Sequence, residues 1–596
     1  MLVIAAVTCA TVPVGYMSML AGFREYDDEG YMLLTVRDYL AGHAIVTPYI
    51  QLYGPFFYEV MGGIYQLLGL EPGHDSGRVL TLAIWLIACL LGGLAGYRLT
   101  RNPWLGIGAQ LLTFSVLTPL VSEPFTTYGL ISLLIMAAVV AATWVPDHPR
   151  ASAAVIGGIV GALCLVKINV GGFVAIAVLF AWALGLPPAR RRWLAPAAAV
   201  LVVLVPPALM AGMLSHDRVL EFALVVSLSA AGVGVVSFKA KPLALPAPPA
   251  RWLAAGGAVV MAVCLGIALA RGNSAAQLWN GLIVSSVKFP GIYVLSPGIE
   301  VANVFWAVMA FAVAIALSTW YAAAAARPAF GIVRVWVGVL TWFLVLQQPS
   351  STFLLALPLA WLAIKPPREM LDDTAGGYSR LLLPMLAVVG CLQAYPVAGT
   401  QLALASLSLV PVSAIILKDG IWQLRSAGTS KAVQGLARWI APAVLLVNVA
   451  AFGVFGLVTT RAFQSETPLG LPGSQALRLS RTQVVDLRSL VAAIDRQCSS
   501  FITFPGMDSL YVWTDQEPPS DMRYGPWWLS LDGSQQEAIV QQVQNRPRLC
   551  VVKNQTINDF WAEGRPIPQR PLVMFIDQTF EDAGSFGDYE LLVRSS

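Results

Sequence analysis

Apolar positions in this chain gather into long runs separated by short polar gaps. The runs are Leu2–Leu20, Val79–Leu99, Trp104–Leu120, Thr127–Trp144, Ala151–Val166, Val170–Leu186, Trp193–Leu214 and Leu220–Ser237. They continue with Trp252–Ala270, Val301–Tyr321, Phe330–Leu346, Thr352–Ile364, Leu381–Leu392, Leu402–Leu417 and Trp439–Thr459. A membrane span needs about 20 apolar residues, fewer when it is tilted or enclosed by neighbours. Several runs are short, and hydropathy does not separate re-entrant segments from true spans. The pattern therefore predicts an all-α polytopic membrane bundle of about 13 to 15 transmembrane helices over residues 1–460. The first run lacks a basic n-region and a small-residue cleavage site, so it reads as a retained helix.

The pattern changes near Arg461. From there to Ser596 no segment is long and apolar enough to span, and Asp, Gln, Pro and Trp become frequent. Helices are expected over Gln483–Arg496 and Gln535–Gln544, and strands over Ser499–Phe504, Arg548–Val552 and Tyr589–Val593. Residues 461–596 thus read as a small C-terminal α/β domain.

Charge orients the bundle. Alternate gaps hold Arg98 and Arg101; Arg150; Arg190, Arg191 and Arg192; Lys239, Lys241 and Arg251; Arg327 and Arg334; Lys365, Arg368 and Arg380; then Lys418, Arg425, Lys431 and Arg438. The gaps between them are nearly free of basic residues. Short cytoplasmic loops are enriched in Lys and Arg, which predicts a cytoplasmic N-terminus and an extracytoplasmic C-terminal domain. A bacterial inner membrane suits a chain with no secretory feature beyond its helices. The outer face then receives the long first loop, 21–78, and most of the unusual residues.

Composition agrees with a membrane protein. The chain is 57% hydrophobic and 12% charged, against about 25% charged in ordinary soluble domains. A net charge of +4 over 596 residues gives no concentrated basic face for nucleic acid. The four histidines form no HExxH and the seven cysteines no CxxC, so a structural zinc site is not expected. Gly-rich phosphate loops are absent as well. Cys498 and Cys550 are the two cysteines outside apolar runs; they are expected either as a disulfide in an oxidising compartment or as two separate thiols.

The most informative segment is Arg24-Glu25-Tyr26-Asp27-Asp28-Glu29-Gly30-Tyr31, directly after the first helix. Crowded carboxylates repel and raise one another's pKa. A solvated turn is one reading. The other is chemistry: a carboxylate base to activate an attacking hydroxyl, or a ligand for a divalent cation. Glu29–Leu40 then carries Met32, Leu33, Val36, Tyr39 and Leu40 at helical spacing, as in a helix lying on the membrane surface. Gly42 ends it, and Tyr53-Gly54-Pro55 opens a second apolar helix, Phe56–Leu70.

Asp28-Glu29-Gly30-Tyr31, Leu40-Ala41-Gly42 and Tyr53-Gly54-Pro55 together resemble the first outer loop of the GT-C glycosyltransferases, among them the protein O-mannosyltransferases and the aminoarabinose transferases of lipid A. The resemblance covers about the first 200 residues. It implies inverting transfer of a sugar from a polyprenyl-phosphate donor to a lipid, glycan or protein acceptor, with an acidic residue of this loop at the reaction centre. On that reading Asp28 is the base, with Asp27, Glu29 and Glu123 in the catalytic set. Glu29 or Glu123 orients the acceptor, and Asp28 with Glu123 are the candidate ligands of a divalent cation (Mg or Mn). No Asp-x-Asp pair is present. Tyr53 joins the substrate-binding candidates.

Lys167 and Asn169 sit between two apolar runs; Lys167 either pairs with Glu123 or Asp28, binds the carrier phosphate, or snorkels to the interface. Arg271 and Lys288 are read as phosphate ligands or as interfacial anchors. Tyr395 and Gln401 bracket a polar turn that either hydrogen-bonds sugar hydroxyls or is a plain corner. Trp513, Trp527 and Trp528 are read as a glycan platform or as core. The rival from another class is a transporter or lipid-linked-glycan flippase; such proteins bury ionisable groups near the midplane, whereas these runs contain almost no charges. A polymerase or ligase that works on the outer face is a further alternative.

Overall fold

Prolines open many of the helices. Pro55, Pro103, Pro149, Pro188 and Pro328 all stand in the first turn, where the missing N–H costs no hydrogen bond. The computed structural model describes residues 2–45, 53–216, 218–239, 248–291, 293–325, 327–367, 377–426, 429–522 and 525–595. Lys241 and Arg368, counted above in the basic gaps, lie outside the described residues.

The bundle begins with α1 (Leu2–Met19), α2 (Asp28–Leu40), α3 (Pro55–Leu68), α4 (His74–Thr100), α5 (Pro103–Leu117), α6 (Thr127–Thr143) and α7 (Pro149–Val166). Next come α8 (Ile168–Leu184), α9 (Pro188–Leu209), α10 (Val219–Lys239), α11 (Ala250–Ala270), α12 (Ala275–Trp279) and α13 (Ser285–Lys288). It closes with α14 (Val301–Ala325), α15 (Pro328–Leu346), α16 (Gly377–Gly390), α17 (Gln401–Leu407), α18 (Leu409–Arg425), α19 (Lys431–Ala437) and α20 (Ile440–Ser465). Eleven helical segments among the described residues are long and apolar enough to cross a membrane, and three shorter apolar helices accompany them. Together they fall inside the range expected from the sequence.

The apolar interior is continuous from α1 through α18. α9, α11, α14 and α20 turn apolar side chains such as Leu201, Val259, Met309 and Leu446 outward, as lipid-facing helices do. Two expectations need correcting. Thr352–Ile364 is two buried 3-10 pieces, Ser351–Leu355 and Leu357–Ala363, rather than a straight span; it carries Pro358 and is too short to cross. And α2 does not lie open on a membrane surface: residues Tyr31 to Val36 are buried, because α2 is covered on one side by the bundle and on the other by the C-terminal domain.

α20 runs straight into that domain. It contains the short strands β1 (Thr467–Pro468) and β2 (Arg478–Leu479), then α21 (Arg481–Gln497), β3 (Ser500–Phe504), α22 (Ser509–Thr514), α23 (Trp527–Ser530) and α24 (Gly533–Val543). β4 (Leu549–Asn554), α25 (Gln555–Ala562), α26 (Pro571–Thr579), β5 (Phe580–Phe586) and β6 (Tyr589–Arg594) complete it. The main sheet has the order β3-β4-β6-β5, with β3 and β4 parallel and the other pairs antiparallel. A parallel pair needs a crossover, which the connection carrying α22, α23 and α24 supplies. Cys498 and Cys550 are joined in a disulfide that ties the entrance of β3 to β4.

The domain is docked onto the first loop by backbone bonds. Gly22 N–H donates to Arg478 O at 2.9 Å and Arg478 N–H to Leu20 O at 2.8 Å. Asp75, in the first turn of α4, accepts from the N–H groups of Ala476 and Leu477 at 2.8 and 3.0 Å.

Candidate active site

The site is built around a chain reversal at Asp27. This residue adopts left-handed backbone angles (φ 57°) and caps α2, its side chain accepting from Gly30 N–H at 3.0 Å. The same carboxylate accepts from Ser509 N–H at 2.6 Å and Ser509 Oγ at 2.5 Å, while His74 Nε2 lies 2.8 Å from that hydroxyl. His74 stacks on Trp513 with centroids 5.2 Å apart. Burial raises the Asp27 carboxyl well above the usual carboxylate range, and the Ser509 bonds oppose it. Gly30 is required by proximity, because a Cβ there would stand 2.2 Å from Ser509 N.

Glu29 is held on the other side. Arg78 grips it bidentately, Nε to Oε1 at 2.8 Å and Nη2 to Oε2 at 2.6 Å, both side chains buried. Arg78 Nη1 also donates to the carbonyls of Met19 and Gly22 at 2.7 and 2.9 Å. Asp27 and Glu29, grouped with the catalytic residues on sequence grounds, therefore do not line the cavity; they are spent on clamping the turn that presents Asp28.

Asp28 lines a cavity of about 390 Å³ together with Tyr53, Glu123, Tyr128, Lys167, Asn169, Tyr395 and Gln401. Glu123 follows the 3-10 turn Thr118–Ser122 that ends α5. Its Oε1 accepts from Thr400 Oγ1 at 3.1 Å and Tyr26 OH at 3.4 Å, and its buried Oε2 has no hydrogen-bond partner among the described residues. Lys167 occupies the break between α7 and α8, its Nζ 5.6 Å from the ring centres of both Tyr53 and Tyr128. Gln401 Nε2 donates to Tyr128 OH at 2.7 Å. Tyr53 is carried in by Gly54, whose N–H donates to Val166 O at 2.9 Å; a Cβ on Gly54 would meet Leu165 O at 2.1 Å. Only glycine lets that loop reach the end of α7.

Three titratable groups thus depend on one another. Burial lifts the Glu123 carboxyl well above the usual range, and the Asp28 charge lifts it further. Burial also raises Asp28, opposed by Lys167. Burial pulls Lys167 down to about 8, against the pull of Glu123 and Asp28. Two carboxyls facing the same cavity in this way oppose each other's ionisation.

The other candidates fall elsewhere. Arg271 donates to Tyr39 O at 2.7 Å and lies 3.6 Å from the centre of the Tyr39 ring, and it does not line the cavity. Lys288 is exposed outside the lining, although its neighbours Ser286 and Phe289 belong to it. Trp513, Trp527 and Trp528 are buried in the domain, their Nε1 groups donating to Ser474 Oγ, Thr503 O and Asn558 Oδ1 at 2.8, 2.8 and 2.9 Å. They are core, not a platform. The aromatic wall is formed instead by Tyr293, Phe560 and Trp561, with Tyr293 and Trp561 edge to face at 5.1 Å. Arg24 also lines the cavity. Arg24 stood in the acidic segment itself; nothing in the local sequence marked Phe560 or Trp561.

Among the described residues no three His, Cys, Asp or Glu side chains come together to hold a metal ion. Asp28 and Glu123 are too few donors for a protein-built cation cage, and the Lys167 ammonium competes for the same negative charge. The expected divalent cation therefore finds no ready-made ligand set among the described residues.

No protein-family model matches the chain, and no curated protein matches it. Among solved structures it is similar to the Archaeoglobus fulgidus oligosaccharyltransferase tethered to an acceptor peptide containing the NVT sequon, with TM-score 0.42, 13% identity, and coverage of 100% of this chain and 74% of that one. The apo form of the same protein gives TM-score 0.41 at 12% identity over the same shares. Its complex with Zn and sulfate gives 0.38 at 13%, covering 94% of this chain and 68% of that one. At this level the likeness carries no argument about reaction or ligand.

Proposed function

We propose that this protein is a membrane glycosyltransferase that moves a sugar from a polyprenyl-phosphate donor to a lipid, glycan or protein acceptor on the outer face of the membrane. The observation that carries the reading is the convergence of Asp28, Glu123 and Lys167, from three separate segments, on one cavity between the bundle and the C-terminal domain. Glu123 and Lys167 stand at the ends of apolar helices, which on this reading puts the cavity where a carrier lipid presents its headgroup. The resemblance of the first loop to GT-C enzymes points the same way.

In the proposed step Asp28 accepts the proton of an acceptor hydroxyl. That oxygen bonds to the anomeric carbon with inversion as the bond to the carrier phosphate breaks. Lys167 and Arg24 meet the charge on the departing phosphate. Glu123, the more strongly proton-retaining carboxyl, orients the acceptor as a hydrogen-bond donor. Tyr293, Phe560 and Trp561 give a sugar ring apolar faces to lie against. The domain's disulfide suits an oxidising compartment and the basic loops at the opposite end suit the cytoplasm; on this reading the membrane is a bacterial inner membrane.

The test is release of polyprenyl phosphate from a panel of labelled polyprenyl-phosphate sugars by purified protein with an acceptor extract. Release that requires both protein and acceptor is expected. No release across a broad panel moves the weight to a transporter or flippase.

A further inference from the structure

Three side chains that line the Asp28 cavity carry a buried polar atom with no hydrogen-bond partner among the described residues: Glu123 Oε2, Trp561 Nε1 and Gln393 Oε1. Glu123 and Trp561 already have parts in the proposed transfer. Gln393 has none.

Gln393 stands in the 3-10 turn Cys391–Ala394, which continues α16 to the end of its span. All four residues of the turn are buried, and Gln393 is 4% exposed. The turn packs against α8, the helix that opens directly after Lys167 and carries Asn169 in its first turn. Gln393 thus lies toward the part of the cavity where Lys167 meets the donor phosphate in the proposed step.

Glutamine in a membrane bundle commonly ties neighbouring helices together by a hydrogen bond. Gln393 Oε1 makes none, so that role does not account for it. A buried, unpaired amide is destabilising, and an apolar side chain of the same shape would fill the space without the penalty. A ligand that pairs with the amide supplies the missing reason. The terminal torsion of a glutamine is broad and two-fold, so either end of the amide can turn to the cavity. One planar amide offers an acceptor and donors side by side. This matches two neighbouring hydroxyls of a sugar ring, one donating to Oε1 and the other accepting from Nε2. The wall of Tyr293, Phe560 and Trp561 suits the apolar face of such a ring, whereas the hydroxyls at its edge need polar partners. The neutrality of the amide selects as well. A charged substituent enters a buried site only against an opposite charge, and Asp28, Glu123 and Lys167 are engaged electrostatically with one another.

We propose that Gln393 selects the transferred sugar by holding two neighbouring hydroxyls of a neutral ring. The proposal rests on the glycosyl-transfer reading and narrows its donor to neutral sugars with a free vicinal pair.

The test uses full-length protein, wild type beside Gln393→Met, which keeps the length of the side chain and removes the amide. Donors are polyprenyl-phosphate glucose, galactose and mannose, their singly deoxygenated analogues, and polyprenyl-phosphate glucosamine. Transfer to an acceptor extract gives kcat/KM for each donor, and thermal midpoints are read without donor. Wild type is expected to use a neutral donor best and to lose about 10- to 100-fold on the analogue that lacks a hydroxyl held by Gln393, as for one or two hydrogen bonds. Gln393→Met should lose as much on the parent donor and nothing further on that analogue, with a midpoint no lower than that of wild type. Gln393→Leu carries the same expectation should methionine pack badly. An equal loss on every donor, a lowered midpoint in both variants, or a wild type that prefers the glucosamine donor would overturn the proposal and leave the transfer reading in place. Absence of transfer from every donor by folded wild type would overturn both.

Discussion

Asp28 stands between two residues that are each held from outside. Ser509 holds Asp27, and Arg78 holds Glu29. Removing the hydroxyl in Ser509→Ala leaves His74 Nε2 and one Asp27 contact unsatisfied, which should cost about 1–3 kcal/mol and lower turnover as Asp28 loses its fixed position. Thermal midpoints and initial rates measured together check this; an unchanged rate would show that Asp28 needs no such support. Arg78→Met strands a buried carboxylate and should cost about 3–5 kcal/mol, measured as loss of monodisperse protein on heating. The acid–base groups give a pH profile with two limbs. Asp28, raised by burial, acts only when ionised, so activity should rise with pH at values above the ordinary carboxylate range. It should fall through about 8 as Lys167 loses its proton. A rate that keeps rising past that point contradicts a role for charged Lys167. The sequence shows the acidic cluster and Lys167 plainly. It hides which carboxylate faces the cavity, because Asp27 is engaged by a residue 482 positions away.

At the scale of elements, apolar runs locate helices well, since a membrane core forces every backbone group into local bonds. The misreadings have separate causes. α2 reads as an amphipathic surface helix, yet a domain more than 400 residues downstream in the chain covers its second face, with Arg37 of α2 donating to Tyr511 O. β5 escaped notice because Phe580–Phe586 is polar and carries a bulge at Asp582 and Gly584, which spoils the alternation that marks a strand. The loop Tyr53-Gly54-Pro55 shows the reverse: a short motif whose glycine is explained by one contact. Gly54→Ala should displace Tyr53 from the cavity at a cost of about 1–3 kcal/mol and weaken donor binding. Donor titration of the variant checks it, and unaltered affinity would mean that Tyr53 is not held by this contact.

At the scale of the whole molecule, the site exists only where bundle and C-terminal domain meet, since Phe560 and Trp561 come from one and Asp28, Glu123 and Lys167 from the other. The disulfide closes a 52-residue separation, and its loss in Cys498→Ser should destabilise the domain by about 2–4 kcal/mol. Because the domain holds Asp27, activity should fall at a lower temperature than that at which the bundle helices melt; circular dichroism and activity followed on one heating ramp separate the two events. The most direct test of the whole reading is donor binding and sugar transfer measured side by side on Asp28→Asn. Donor affinity within about twofold of wild type and transfer slowed by about 10²–10⁴-fold, the usual worth of a positioned general base, is the expected result. Transfer at the wild-type rate would remove Asp28 from the chemistry and the proposed mechanism with it.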